Sequence, residues 1–170
     1  MFEALAIPLL APLYNFAHWL THNRDEAEDL VQETYVKALK GFPSFTPETN
    51  FRAWMYRIFR NTFLSSRAGL KATVIFDEEE HETLPSTDSP NPESLLIEQA
   101  NREIVQQALR ELPLHFREIL LLCEVEEMSY QEISETLAIP TGTVMSRLFR
   151  ARRALRSLLQ VRLRGGPHGV

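Results

Sequence analysis

SYQEISETLAIPTGTVMSRLFRARRALRSLL, Ser129 to Leu159, is the stretch from which the rest of the chain can be read. Ser129 and Glu132 form an S-x-x-E capping box, which satisfies orphan N–H groups where a helix begins. Ile133, Leu137 and Ile139 give that helix an apolar side. Pro140 ends it, because proline has no N–H and disfavours helix in the residue before it. The fixed φ of Pro140 also suits the opening of a second helix. In that helix Val144, Leu148, Ala151 and Leu155 recur at spacings of four, three and four, so one stripe is buried. The other faces carry Thr141, Thr143, Ser146, Arg147, Arg150, Arg152, Arg153 and Arg156, and no acid occurs from Thr141 to Val170. A solvated helix face normally mixes signs. Hydroxyls opening the second helix and arginines following it fit a major-groove reader better than a helical hairpin with a wet basic face.

The net charge of −5 over 170 residues looks wrong for a nucleic-acid partner only if the charge is spread evenly. It is not. Met1 to Ala72 is nearly neutral, Thr73 to Ile97 holds seven acids and no base, and every acid after Ile97 lies before Thr141. The length suits one domain or two small ones. The single cysteine, Cys123, excludes a disulfide framework and favours a cytoplasmic location. No apolar run is long enough to insert in a membrane. The start, MFEALAIPLLAPLYNF, lacks a basic leader segment and is interrupted by Pro8 and Pro12, so it reads as the entry to a helix.

Further helices precede this one. Leu13, Phe16, Ala17 and Leu20 mark the first, and Asn23 caps the next with Glu26 in the reciprocal position. Val31, Tyr35, Ala38 and Phe42 line one face of that second helix. A loop with two prolines, Pro43 to Asn50, leads to a third helix from about Phe51 to Ala68, with Trp54, Ile58 and Phe59 as core candidates and Arg52, Arg57, Arg60, Asn61 and Arg67 on its other side. Gly69 to about Glu93 has linker composition, with the like-charge run FDEEEHE and the turn-rich LPSTDSPNPES. Helix resumes near Ser94, Pro113 punctuates it, and Phe116, Ile119, Leu120, Leu122 and Cys123 form one more apolar helix. The expected fold is all-α: two small helical domains on a flexible linker, the second containing the helix-turn-helix.

Three segments in order resemble one family: DEAEDLVQETYVKALKGF at Asp25 to Phe42, NFRAWMYRIFRNTF at Asn50 to Phe63, and LRELPLHFREILLLCEVEEMSYQEISETLAIPTGTVMSRLFRARRALRSLL at Leu109 to Leu159. The chain is similar to bacterial sigma factors of the extracytoplasmic-function type, the short class with only the second and fourth sigma domains. The resemblance implies a region 2 domain over residues 1–72, an acidic linker over 73–93, a region 4 domain over 94–162 and a disordered tail over 163–170. It implies docking of Asp29, Gln32 and Glu33 on core RNA polymerase. Asp29 and Glu33 are i,i+4 with Gln32 between, so the three share a face; Asp25 and Glu26 read instead as compensation of the helix N-terminus. For promoter DNA it implies Phe45 and Asn61 near a pocket for an extruded −10 base, Arg57 and Arg60 on phosphates, and Thr143, Ser146, Arg147, Arg150 and Arg153 at the −35 element. Phe45 reads alternatively as a buried loop anchor. An anti-sigma factor is the implied regulator, with self-inhibition by the acidic linker a minor effect. Two departures stand out: Met145 where the family usually has Lys or Arg, and Glu127 where glycine is common.

His18 and His22 have a zinc-compatible i,i+4 spacing, but HWLTH lacks the glutamate of H-E-x-x-H and a third ligand. No cofactor or metal is expected, and no P-loop, G-x-S-x-G or paired-carboxylate motif points to an enzyme. A dimeric regulator on a palindrome would explain the helix-turn-helix but leaves the acidic helix and the aromatic, basic helix without a role. An adaptor without DNA is disfavoured by the acid-free C-terminal arginines.

Overall fold

The computed structural model describes residues 1–67 and 102–165. Those residues are all-α, with no strand among them. The first group is α1 (Phe2–Ala6), a 3₁₀ turn at Ile7–Leu9, α2 (Leu10–Thr21), α3 (Arg24–Gly41) and α4 (Phe51–Ser66). The second is α5 (Arg102–Glu111), α6 (Leu114–Leu120) running into a π turn at Leu121–Val125, α7 (Tyr130–Leu137) and α8 (Thr141–Gly165). The expected linker, the helix start near Ser94, the doubtful strand TVIF and the last five residues lie outside the described residues. Residues 163–165, expected to begin a disordered tail, instead finish α8.

Helix starts follow the capping chemistry. Asn23 accepts from the Glu26 N–H at 2.9 Å, Asn50 from Ala53 at 3.0 Å and Ser129 from Glu132 at 3.0 Å. The backbone of Ser129 in turn bonds the Glu132 carboxylate, completing that box, and both box glutamates also take an arginine. The Glu26 carboxylate pairs with Arg67, and that of Glu132 with Arg52. A guanidinium gives a carboxylate a charge-assisted bond, stronger than a neutral backbone N–H does. Among buried hydroxyls, Thr34 and Thr62 donate to the carbonyls of Leu30 and Ile58 one turn back, which lets them sit in the core.

The predicted stripes are buried: Leu13, Phe16, Ala17 and Leu20 on α2, Val31 and Ala38 on α3, and Val144, Leu148, Ala151 and Leu155 on α8. Helix α4 differs from expectation. Ala53, Met55, Tyr56, Phe59 and Phe63 are buried, whereas Trp54 and Ile58 only pack against the core's edge. Trp54 instead joins Phe42, Phe45 and Phe51 in an aromatic cluster at the start of α4. Phe2 closes that cluster from the N-terminus, and the Tyr35 hydroxyl holds α1 in place by donating to the Ala6 carbonyl at 2.7 Å.

The two groups do not stand apart. A single cluster of buried apolar side chains runs from Leu13 on α2 to Leu159 on α8. Arg117 on α6 ties them further, donating to the carbonyls of Leu109 at 2.8 Å and Leu112 at 3.2 Å within its own group and to Leu20 at 2.9 Å at the end of α2. The end of a helix presents unpaired carbonyls and the negative pole of its dipole, which suits a half-buried cation.

Four backbone positions carry a side chain where glycine is easier: His22, Glu48, Glu127 and Ala138. Ala138 ends α7 with φ 59°, and Glu127 has φ 54° between the π turn and α7. The left-handed region costs a residue with a Cβ about 1–2 kcal/mol. Glycine at the Glu127 position would adopt this backbone without that cost.

Candidate nucleic-acid and polymerase interfaces

Helix α3 carries the first candidate face. Capping at Asn23 and burial of Ala27, Leu30, Val31, Thr34 and Ala38 fix its rotation. Asp29, Gln32 and Glu33 therefore all point to solvent. The sequence reading missed two members of the same stripe: Val36 and Leu39 are 52% and 59% exposed. With Glu33 and its i,i+4 partner Lys37 at 3.4 Å, they make a surface that is acidic at one end and apolar at the other. The missed signal was the helical spacing from Gln32 to Val36 and Leu39, on the side opposite the buried stripe.

The second face lies on α4. No acidic residue occurs from Asn50 to Ala72, and Arg52, Arg57 and Arg60 leave the buried side of the helix. Phe45 is half-buried, with its ring 5.0 Å from Trp54 and 5.3 Å from Phe51, so the anchoring role holds for part of it. Its remaining surface lines a cleft of about 650 Å³ with Ser44, Asn50, Trp54 and Arg57 on one side. Across the cleft stand Ser129, Gln131, Glu132 and Glu135 of the second group. Asn61 is exposed further along α4 and does not line this cleft.

Each α4 arginine in question has a partner across the group boundary. Arg52 grips Glu132 with both ends of its fork, at 2.7 and 2.8 Å, and donates to the Glu126 carbonyl at 3.3 Å. Arg60 meets Glu118 at 2.6 Å, and that carboxylate side chain is 7% exposed. Arg57 donates to the Glu135 carbonyl, and the Tyr56 hydroxyl donates to the Glu126 carboxylate at 2.7 Å. The hydrogen bond from Arg52 holds the Glu132 carboxyl below its ordinary range. Burial pushes Glu126 the other way, against the opposing pull of Tyr56 and Arg52. The π turn helps supply these groups. The Glu126 N–H reaches back five residues to Leu121 at 3.0 Å, and the extra residue aims Glu124 at Arg152 while Glu126 turns to α4. Sequence periodicity gave no sign of it.

The third face is α8. Burial of Val144, Leu148, Ala151 and Leu155 leaves Thr143, Ser146, Arg147, Arg150 and Arg153 on its remaining surface. Ser146 donates to the Thr143 carbonyl at 3.3 Å, and the Arg153 guanidinium lies 6.0 Å from the Phe149 ring. Met145 is 46% exposed, so its lack of charge is presented to solvent rather than hidden. Arg152 turns inward to Glu124 at 3.0 Å and to the Cys123 sulfur at 3.4 Å, and burial pushes the Cys123 thiol up. No group of His, Cys, Asp and Glu among the described residues is arranged to hold a metal ion, and no described helix is long and apolar enough to cross a membrane.

Comparison with known proteins follows the same division. The family described as Sigma-70 region 2 matches residues 7–72, and Sigma-70, region 4 matches residues 102–155. An ECF RNA polymerase sigma factor, SigE, from Mycolicibacterium smegmatis is 36% identical over 150 residues; the match covers 86% of this chain and 57% of that protein. The ECF RNA polymerase sigma-E factor of Escherichia coli is 34% identical over 146 residues, covering 82% of this chain and 76% of that one. Among solved structures, the sigma factor RpoE from Bartonella quintana, in complex with the anti-sigma factor NepR, superposes with a TM-score of 0.71 at 30% identity, covering 94% of this chain and 97% of that chain. CnrH, in complex with the cytosolic domain of CnrY, shares the fold with a TM-score of 0.67 at 24% identity, over 94% of this chain and 88% of that one.

Proposed function

The chain belongs to the extracytoplasmic-function RNA polymerase sigma factors, and on that premise we infer that it docks on core RNA polymerase, directs it to a promoter and helps open the DNA there. In this reading residues 1–72 act as the region 2 domain and 94–162 as the region 4 domain, with 73–93 between them as linker, and the chain works in the cytoplasm. The polymerase supplies the phosphodiester chemistry, and the sigma factor supplies recognition.

The observation that carries this reading is the exposed stripe of Asp29, Gln32, Glu33, Val36 and Leu39 on the same rigid unit as the acid-free helix α4. Apolar side chains flanked by carboxylates suit a helix pair of mixed basic and apolar character on the polymerase. Phe45, in the segment before α4, supplies a stacking surface for an extruded −10 base, with Asn61 on α4 for base-edge or sugar contact and Arg57 and Arg60 for phosphates. Thr143, Ser146, Arg147, Arg150 and Arg153 read or grip the −35 duplex. Met145 replaces a basic contact with an apolar one, which fits a thymine methyl better than a phosphate. An anti-sigma factor as partner is supported by the Bartonella relative, whose solved complex contains one.

The test is transcription from genomic DNA of the source organism by core polymerase with and without the chain, read by sequencing RNA 5′ ends. The expected result is a set of new start sites sharing two upstream sequence blocks at fixed spacing. Their loss is expected in the Asp29→Lys/Glu33→Lys variant, which should retain its helical fold but not bind core. The same start sites with core alone would refute the reading.

A further inference from the structure

We propose that two copies of the chain pair through α3, helix against helix and antiparallel, so that a paired copy cannot dock on core polymerase. The pairing stands on α3 itself; its exclusion of polymerase rests on the docking reading given above.

The outward side of α3 is divided by charge. After Arg24 it exposes Asp25, Glu28, Asp29 and Glu33, and toward its end it exposes Lys37 and Lys40. A helix face that is acidic at one end and basic at the other complements a copy of itself when the copy runs the opposite way. The polymerase contact read above uses the acidic half and leaves Lys37 and Lys40 without a role. A second copy uses both halves. Setting Asp29 against Lys40 of the second copy fixes the register, and a two-fold axis repeats that contact in reverse. Neither Asp29 nor Lys40 makes an ion pair among the described residues. In the same register Glu33, which holds Lys37 of its own helix at 3.4 Å, lies against Lys37 of the second copy, and the charges alternate in sign. Val36, 52% exposed, lies over Gln32 of the second copy near the axis.

The apolar contact falls on one flank. Leu39, 59% exposed, stands one turn from both Tyr35 and Phe42, the residues that hold α1, so it leans toward the side where α1 and α2 pack. On that side a groove of about 500 Å³ opens between α2 and α3, lined by Leu10, Tyr14 and Val31 and rimmed by Glu28 and Gln32. The register set by Asp29 and Lys40 brings this groove opposite Leu39 of the second copy. The two-fold axis keeps both grooves on the same side of the helix pair, so each Leu39 enters the groove of the other copy. About three turns of helix and one groove per copy belong to the transient class of interface, below roughly 1,200 Å² of total area, so concentration sets the paired fraction.

The test is sedimentation velocity on the full chain at physiological salt, from about 1 to 200 μM, the range of a weak dimer. The parent should pass from monomer to dimer and no further, because a two-fold interface closes on itself. Asp29→Lys and Lys40→Asp each set like charges together twice and should weaken pairing at least about tenfold. The combined Asp29→Lys/Lys40→Asp variant restores opposite charges and should return to within about threefold of the parent. Leu39→Ser should weaken pairing at least about fivefold without changing the circular dichroism, since the side chain is exposed. Glu127→Lys, a charge reversal on the second helical group, should change it less than about twofold. Added core polymerase should convert the dimer to complexes that hold one copy.

A parent that stays monomeric over this range leaves the face to polymerase alone and overturns the proposal. So does a charge swap no better than its single variants, or assembly that continues past two copies. Two copies on one core overturn the exclusion. A chain that pairs and regains pairing with the charge swap, yet never binds core, upholds the pairing and fails the docking reading.

Discussion

Helices α4 and α8 were both read from sequence as arginine-bearing DNA helices, yet the structure treats them differently. On α4, Arg52 and Arg60 end on carboxylates of another domain. On α8, Arg153 is exposed and faces the ring of Phe149, while Arg152 and Arg162 turn to Glu124 and Glu111 within their own domain. A run of arginines without acids nearby in sequence specifies a cationic face. It does not specify what neutralises that face, because the counter-charges of α4 lie about 60 to 80 residues away.

The largest expected contrast is in stability. Arg60→Ala leaves the covered Glu118 carboxylate without its cation. Breaking a buried pair from one side costs about 3–5 kcal/mol, and the partial exposure of Arg60 lowers that to about 2–3 kcal/mol. Arg153→Ala should cost less than about 0.5 kcal/mol, as an exposed residue without a buried partner. Equal urea midpoints for the two variants would erase the distinction between the helices.

The second contrast is in recognition. Arg147→Ala in holoenzyme should lose about 1–3 kcal/mol of discrimination at one −35 position, if its contact with guanine is bidentate. Arg153→Ala should weaken matched and mismatched promoters alike, as a phosphate contact does. Competition binding on −35 point-mutant duplexes separates them. Identical profiles for the two variants would end the assignment.

A smaller effect concerns the turns that aim the two faces. Ala138→Gly and Glu127→Gly each relieve a left-handed backbone and should raise stability by up to about 1 kcal/mol, after allowing for the freedom glycine adds to the unfolded chain. Loss of stability in thermal melts would mean that those side chains make contacts worth more than the strain.

The smallest is a pH effect at the seam between the groups. His22 is held neutral, its pKa lowered from 6.5 to about 4 by burial and then by Arg110 and Arg117. The unfolded chain binds the proton more readily, so this group's contribution is present above pH 6.5 and is lost as pH falls toward 4. Glu132, also lowered, loses its contribution in a more acidic window, and Glu126, raised, opposes it. His22→Asn keeps a residue tolerant of φ 57° and should flatten the stability profile between pH 6.5 and 4. An unchanged profile would place the titration elsewhere.

Much of the architecture was legible because it is local. Caps at Asn23 and Ser129, the stop at Pro140 and the stripes on α2 and α8 depend on neighbours within a few residues. The three matching segments located every candidate face. What escaped was long-range or irregular. Trp54 left the core stripe because Phe42, Phe45 and Phe51 offered it an aromatic nest. The π turn at Leu121–Val125 has no periodic signature, and it aims Glu126 at α4. Glu26 and Glu132 took as partners arginines that pattern reading had assigned to solvent or DNA.

The most direct measurement is the rate at which each arginine reacts with phenylglyoxal, followed by mass spectrometry in the free chain, in holoenzyme and on promoter DNA. The account predicts that Arg52 and Arg60 are protected in the free chain while Arg153 reacts, and that Arg60 and Arg153 are both protected in holoenzyme on promoter DNA. Arg52 and Arg60 reacting as fast as Arg153 in the free chain would contradict it.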